Sequence, residues 1–153
     1  MNSQIDRKSK MITFDDINVG DYLPVLSTEK ISRTTLALYA GASGDYNPIH
    51  IDIDFAKSAG MDDVFAHGML SMAYLGRLLT NWVDQRSIKK VDVRFTAITP
   101  LYSQIICTGV VQNKQVVDDQ KIIEVLVEAK DSNSGENKIS GIATINLTEN
   151  RSN

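Results

Sequence analysis

The segment Gly68–Val83, GMLSMAYLGRLLTNWV, constrains the fold more than any other part of the chain. Met69, Leu70, Met72, Ala73, Tyr74, Leu75, Leu78, Leu79, Trp82 and Val83 fall on every face of a helix drawn through it. A helix that is apolar all round is a buried one. At ~24 Å it is too short to cross a bilayer and long enough to form the centre of a small domain. Its methionines and aromatics read first as core.

Beyond this helix the apolar period becomes two. Val91, Val93, Phe95 and Ala97 alternate with Asp92, Arg94, Thr96 and Ile98, until Pro100 stops the strand. Ile105, Cys107, Gly109 and Val111 alternate next, then Ile123, Val125, Val127 and Ala129. Asn133-Ser134-Gly135 makes a turn before a last set, Ile139, Gly141, Ala143, Ile145 and Leu147. Ahead of the helix, Tyr22 to Lys30 reads as another strand, placed at an edge by Pro24. Ser32 caps a helix carrying Leu36, Tyr39, Ala40 and Ser43, which Gly44 can end. Asp52 or Asp54 caps a second short helix closed by Gly60. Helices early and hairpin-joined strands late mean α+β with an antiparallel sheet. One curled sheet around one buried helix is the packing this order favours.

The 153 residues suffice for one domain and not for two. Residues 1–10 and 148–153 read as polar tails, leaving an ordered domain over 11–147. The net charge of -3 lacks the basic excess of a nucleic-acid partner. No stretch is long enough for a membrane span, and the polar start has no apolar run of a signal peptide. A single cysteine, Cys107, permits no intrachain disulfide. It lies mid-strand with no local activating pattern, so it reads as core. The cytoplasm is the default compartment. Two histidines and one cysteine make a zinc site an unfavourable reading, and no cofactor is called for.

Both histidines fall beside the two most unusual short motifs. The first is Ser43-Gly44-Asp45-Tyr46-Asn47-Pro48-Ile49-His50. An Asn-Pro turn can fold the chain back and bring Asp45 to His50, where the two could hold one water. On spacing alone, Asp45 capping a turn beside a half-buried His50 is an equally open reading. The second is His67-Gly68-Met69, at the start of the apolar helix. Unpaired N–H groups and partial positive charge collect at a helix N-terminus. A carbonyl oxygen on the Gly68 N–H would be polarised as in an oxyanion hole. The plainer alternative makes Gly68 a tight turn and His67 a cap.

Together these residues resemble a known family. The run YAGASGDYNPIHIDIDFAKSAGMDDVFAHGMLSMAYL closely resembles the signature of the MaoC-like, or hydratase 2, proteins: G-D-x-N-P-[IVL]-H, then H-G-M opening the central helix. VRFTAITPLY resembles the strand and proline corner that follow. The resemblance covers about residues 14–147, and is strongest to the catalytic subunit of mycobacterial-type 3-hydroxyacyl-ACP dehydratases and to (R)-specific enoyl-CoA hydratases. One departure is visible: many members have Gly-Asp where this chain has Ser103-Gln104.

The resemblance implies a hotdog fold and reversible syn hydration of a trans-2-enoyl thioester to an (R)-3-hydroxyacyl thioester, linked to CoA or to an acyl carrier protein. It assigns Asp45 and His50 as the catalytic pair and Gly68 as the donor to the thioester oxygen. Asn47, His67 and Met69 are candidate substrate contacts, Asn47 shaping the turn more than touching substrate. Lys57, Arg77, Lys89, Lys90 and Arg94 are candidates for phosphate contact. A homodimer, or a heterodimer with a homologous chain, is expected because a single curled sheet leaves open edges. Three rivals stand beside this reading. A hotdog thioesterase would place a carboxylate on or beside the central helix, where only Asp84 stands, at the far end. A non-catalytic acyl-binding subunit would lack the Asp/His pair. The third is a simple ligand-binding or scaffolding domain.

Overall fold

Period-two alternation in the second half of the chain becomes one five-stranded antiparallel sheet in the order β1-β3-β4-β5-β2. The structure is a computed structural model and describes residues 12–148. Its strands are β1 (Leu26–Ser27), β2 (Ile88–Phe95), β3 (Ile105–Val117), β4 (Gln120–Asp131) and β5 (Asn137–Asn146). Its helices are α1 (Arg33–Ser43), α2 (Ile53–Ser58) and α3 (Gly68–Trp82). In β3, β4 and β5 the inward set is the one the alternation picks out. Ile105, Cys107, Val111, Ile123, Val125, Val127, Ala129, Ile139, Ala143 and Ile145 are all buried, and against them pack Leu75, Leu78 and Leu79 of α3. Ile31, Leu36, Ala56 and Val64 complete the core from the front half. This is the hotdog arrangement.

The sheet curls along a row of small residues. Gly109 pairs with Val127, Val127 with Gly141 and Gly141 with Val93, so two glycines lie in one line across four strands. A Cβ on Gly141 would lie 2.0 Å from the Asp92 carbonyl oxygen, and one on Gly109 would lie 2.9 Å from Leu23. Only glycine lets neighbouring backbone and side chains approach so closely.

Three expectations change. β2 ends at Phe95, ahead of Pro100, and its alternating set is not buried: Val91 and Val93 are half-buried and Phe95 is 52% exposed. The central helix is not buried on every face. Met69, Ala73, Arg77, Thr80 and Asn81 are exposed, because the sheet of one chain covers only one side of α3. The strand expected over Tyr22–Lys30 is regular only at Leu26–Ser27, with an isolated pair of Tyr22 and Val110. Leu23 N–H and Thr28 N–H still reach the Gly109 and Ile105 carbonyls. Pro24, which has no N–H, interrupts the ladder between them. The expected tail over 1–10 lies outside the described residues. Of 148–153 only Thr148 is described, and its hydroxyl accepts the Lys121 N–H at 2.8 Å.

The Ser103-Gln104 departure does not disturb the proline corner. Ser103 is buried and its hydroxyl donates to Asp131 at 2.7 Å. Gln104 donates its amide to the Thr28 carbonyl at 3.0 Å. Tyr102 takes the left-handed conformation (φ 66°) that the tight corner requires.

Candidate active site

α1 is capped by Ser32, whose hydroxyl accepts the Thr35 N–H, and it ends because Gly44 takes a left-handed conformation (φ 76°). Two successive side-chain turns then steer the chain. The Asp45 carboxylate accepts the Asn47 N–H at 3.2 Å, and the Asn47 side-chain oxygen accepts the Ile49 N–H at 3.1 Å. Pro48 opens a single 3-10 turn, Pro48–His50, which carries the imidazole back toward Asp45. Asp52 then caps α2 through the Asp54 and Phe55 N–H groups.

Asp45, His50 and His67 each bring one carboxylate oxygen or ring nitrogen to within 4.8 Å of the others. Two hydrogen bonds of about 2.8 Å each let one water bridge such a separation. His50 is buried, and its Nδ1 lies 2.8 Å from the Phe65 carbonyl oxygen. A carbonyl only accepts, so Nδ1 carries the proton and Nε2 keeps the lone pair. Asp45 is exposed, and only its Oδ1 is engaged by the Asn47 N–H. The pair therefore offers an anchored base nitrogen and a carboxylate open to solvent.

His67 is buried as well. Its Nε2 lies 3.1 Å from the Asp45 backbone carbonyl, which fixes the proton on Nε2. Its ring sits against His50, with centroids 4.0 Å apart and planes 30° apart, and makes an edge-to-face contact with Tyr39, centroids 5.0 Å apart and planes 63° apart. Burial pushes the His67 pKa below the ordinary histidine value, a charge on His50 adds to this, and the Asp45 carbonyl opposes it. Burial and the nearby Asp45 carboxylate raise the Tyr39 phenol. Gly68 is the first residue of α3 and exposed. Its N–H has no acceptor within the helix and carries the positive end of the helix dipole. The Phe95 ring lies over Gly68: a Cβ there would be 3.1 Å from it. Met69, next in the helix, is 56% exposed.

The Asp45, His50 and His67 cluster has donor types that metals take, but the rings do not suit a shared ion. Imidazole binds a metal in its own plane at about 2 Å. Two rings stacked at 4.0 Å and 30° share no in-plane point that close to both. The far end of α3 holds a cavity of about 780 Å³ lined by Phe14, Trp82, Asp84 and Leu147, and none of the candidate site residues reaches it. Asp84 stands there with both carboxylate oxygens on Arg86, at the negative end of the helix dipole. Among the candidate phosphate contacts, Lys90 is paired with Asp92 and Lys89 donates to the Arg86 carbonyl.

The sequence brought Asp45, Asn47, His50, His67, Gly68 and Met69 forward, and all six gather at the N-terminal end of α3. It missed three neighbours. The Phe65 carbonyl is backbone and leaves no side-chain signal. Tyr39 and Phe95 were counted only as periodic residues of a helix and a strand.

A helix wrapped by one antiparallel sheet, with a carboxylate–imidazole pair beside the helix N-terminus, defines a hotdog-class site. Residues 19–134 match the family described as MaoC like domain. The chain belongs to this family of hydratases and dehydratases. It is similar to the (R)-specific enoyl-CoA hydratase of Rhodospirillum rubrum, 30% identical over 112 residues that cover 68% of this chain and 75% of that protein. It is also similar to the fatty acid synthase subunit beta of Saccharomyces cerevisiae, 35% identical over 66 residues, 43% of this chain but only 3% of that protein. The R-hydratase of Pseudomonas aeruginosa in its unliganded form shares the fold, with a TM-score of 0.78 at 23% identity over 92% of this chain and 88% of that one.

Proposed function

We propose that the chain catalyses the reversible hydration of trans-2-enoyl thioesters to (R)-3-hydroxyacyl thioesters carried by CoA or an acyl carrier protein, with Asp45 and His50 as its acid–base pair. The observation that carries this reading is the approach of Asp45 and His50 within 4.8 Å, with His50 Nδ1 on the Phe65 carbonyl and Nε2 free. In hydration, the pair holds a water over the double bond. As its oxygen bonds to C3, one proton passes to the pair, and the C2–C3 π electrons move toward the thioester oxygen. The Gly68 N–H stabilises that enolate oxygen. A proton from the pair then reaches C2, so the pair returns to its starting charge. Dehydration is the reverse: a base takes the C2 proton and an acid helps the poor hydroxyl leaving group depart as water. Both steps need groups that hold and release one proton near neutral pH.

The test is hydration of crotonyl-CoA and a longer enoyl-CoA by wild type, Asp45→Asn, His50→Ala and the double variant, with thermal melts on each. Each single change is expected to lower turnover by roughly 10²–10⁴-fold, and the double to be little worse, because residues acting as a unit are non-additive. Well-folded singles that keep more than about a tenth of wild-type turnover exclude the assignment. The same variants assayed with acyl-carrier-protein thioesters separate the two carriers.

The working unit is proposed to be a dimer with an identical or homologous chain. The support is the outer strand β2, which has a partner only on its β5 side, and the exposed Met69, Phe95 and Ile98 nearby. Open edges and exposed apolar groups are what proteins cover by association.

A further inference from the structure

His67 invites a closer reading because its obvious roles are vacant. It occupies the N-cap position of α3, yet its side chain makes no cap hydrogen bond. It is 1% exposed, so it presents almost nothing to solvent. Its Nδ1 is buried with no hydrogen-bond partner among the described residues, which is unfavourable for a residue kept only for packing. What its ring does touch is both members of the acid–base pair. Nε2–H donates to the Asp45 carbonyl across 22 positions of sequence, and the ring face lies on His50. Tyr39 also packs against it, with ring centroids 5.0 Å apart.

We propose that His67 is the positioning residue of this site: its Nε2–H ties down the Asp45 backbone, its face supports the His50 imidazole, and together these set the distance between carboxylate and base. The ring works in its neutral form. A proton on Nδ1 would enter a pocket that offers it no acceptor, and the charge would sit against His50. Protons released by water therefore stay with Asp45 and His50. The orientation of His50 is then fixed at two points, the Phe65 carbonyl on its edge and His67 on its face. His67 itself touches neither water nor thioester in this account. It acts through the two residues that do.

The activity arm of the test rests on the hydratase reading; a second arm does not. His67→Phe keeps a flat ring against Tyr39 and His50, removes the unpartnered Nδ1, and loses the hydrogen bond to Asp45. His67→Gln places an amide N–H near the position of Nε2. His67→Asn has the same amide on a stem too short to reach Asp45. His67→Phe should melt no lower than wild type, while turnover falls roughly 10²-fold, the order that a misplacement of about 1 Å costs, and the Michaelis constant stays within about threefold. His67→Gln should recover at least about tenfold over Phe, and Asn should not. Imidazole nitrogen NMR on the same proteins, without substrate, should show His50 keeping its single Nδ1–H tautomer in Phe, which retains the supporting ring face, and losing it in Gln and Asn, which do not. If Phe fails to fold, the Gln and Asn pair decides the matter at matched melting temperature. Three results overturn the proposal: His67→Phe within about threefold of wild-type turnover, Gln no better than Asn, or an unchanged His50 tautomer in all three. If wild type hydrates no enoyl thioester, the hydratase reading fails and the NMR arm alone judges His67.

Discussion

Replacing Gly68 by alanine separates the proposed oxyanion role of this residue from its role in packing. An added Cβ would lie 3.1 Å and 3.2 Å from two ring carbons of Phe95. That ring is 52% exposed, so it can swing aside. Alanine also favours a helix over glycine by up to about 1 kcal/mol. Crowding and propensity therefore oppose each other, and stability should change by no more than about 1 kcal/mol. The chemistry should respond much more. Alanine keeps the backbone N–H, so any loss comes from the methyl group blocking the approach of the thioester oxygen, up to the roughly 10²–10³-fold in turnover, or about 2.7–4 kcal/mol, that losing such a donor costs. Because the charge develops only in the transition state, the Michaelis constant should move by less than about threefold. The assay is steady-state hydration of crotonyl-CoA with urea melts on wild type, Gly68→Ala, Phe95→Ala and the double variant. If the double regains wild-type turnover, the loss came from the displaced Phe95 ring and not from the N–H. A well-folded Gly68→Ala that keeps more than about a third of wild-type turnover refutes the expectation that a side chain here blocks the thioester oxygen from the N–H.

Two further outcomes follow from the sheet. Sedimentation at micromolar concentration should show a dimer or larger assembly, with a copy of this chain or a homologous partner; a stable monomer that retains hydratase activity removes the proposal. Gly141→Ala should destabilise the fold by about 3 kcal/mol or more, the upper end of overpacking costs, since its Cβ would fall 2.0 Å from the Asp92 oxygen; a urea midpoint equivalent to a loss under about 1 kcal/mol contradicts this.

Most of the architecture was legible because burial imposes a period. Strands β3, β4 and β5 bury the set that alternation assigns to the core. α1 begins at its serine cap and stops at its glycine. What periodicity cannot supply is the environment beyond one chain or one element. The apolar residues on every face of α3 suggest complete burial, yet Met69 and Ala73 are open, since the identity of a side chain does not say what lies opposite it. Tyr22–Lys30 has the composition of a strand, but one missing N–H at Pro24 breaks its ladder. In the site, Asp45, His50 and Gly68 were visible as residue types in a recognisable pattern. The tautomer of His50 was not, because it depends on the carbonyl of Phe65, 15 positions away. The unpartnered Nδ1 of His67 likewise exists only once the chain is folded.

The link between sheet and site runs through glycine. Gly141 has no side chain, so β2 can settle against β5 with Asp92 and Val93 closer than any Cβ would allow. The same ladder pairs Ile139 with Phe95 at the end of β2, and Phe95 is the residue that lies over Gly68. The second glycine thus receives its wall from a strand whose position the first one permits. In the proposed reaction Gly68 lacks a side chain for the opposite reason, to leave its N–H approachable from outside. The two glycines look alike in the sequence: one admits backbone to build the sheet, and the other, on the proposed reading, admits substrate. A Cβ at Gly141 would therefore act on the site at a distance, by moving β2 and lifting the Phe95 ring from the helix N-terminus. A Cβ at Gly68 would act where the proposed reaction places the thioester oxygen and leave the sheet intact.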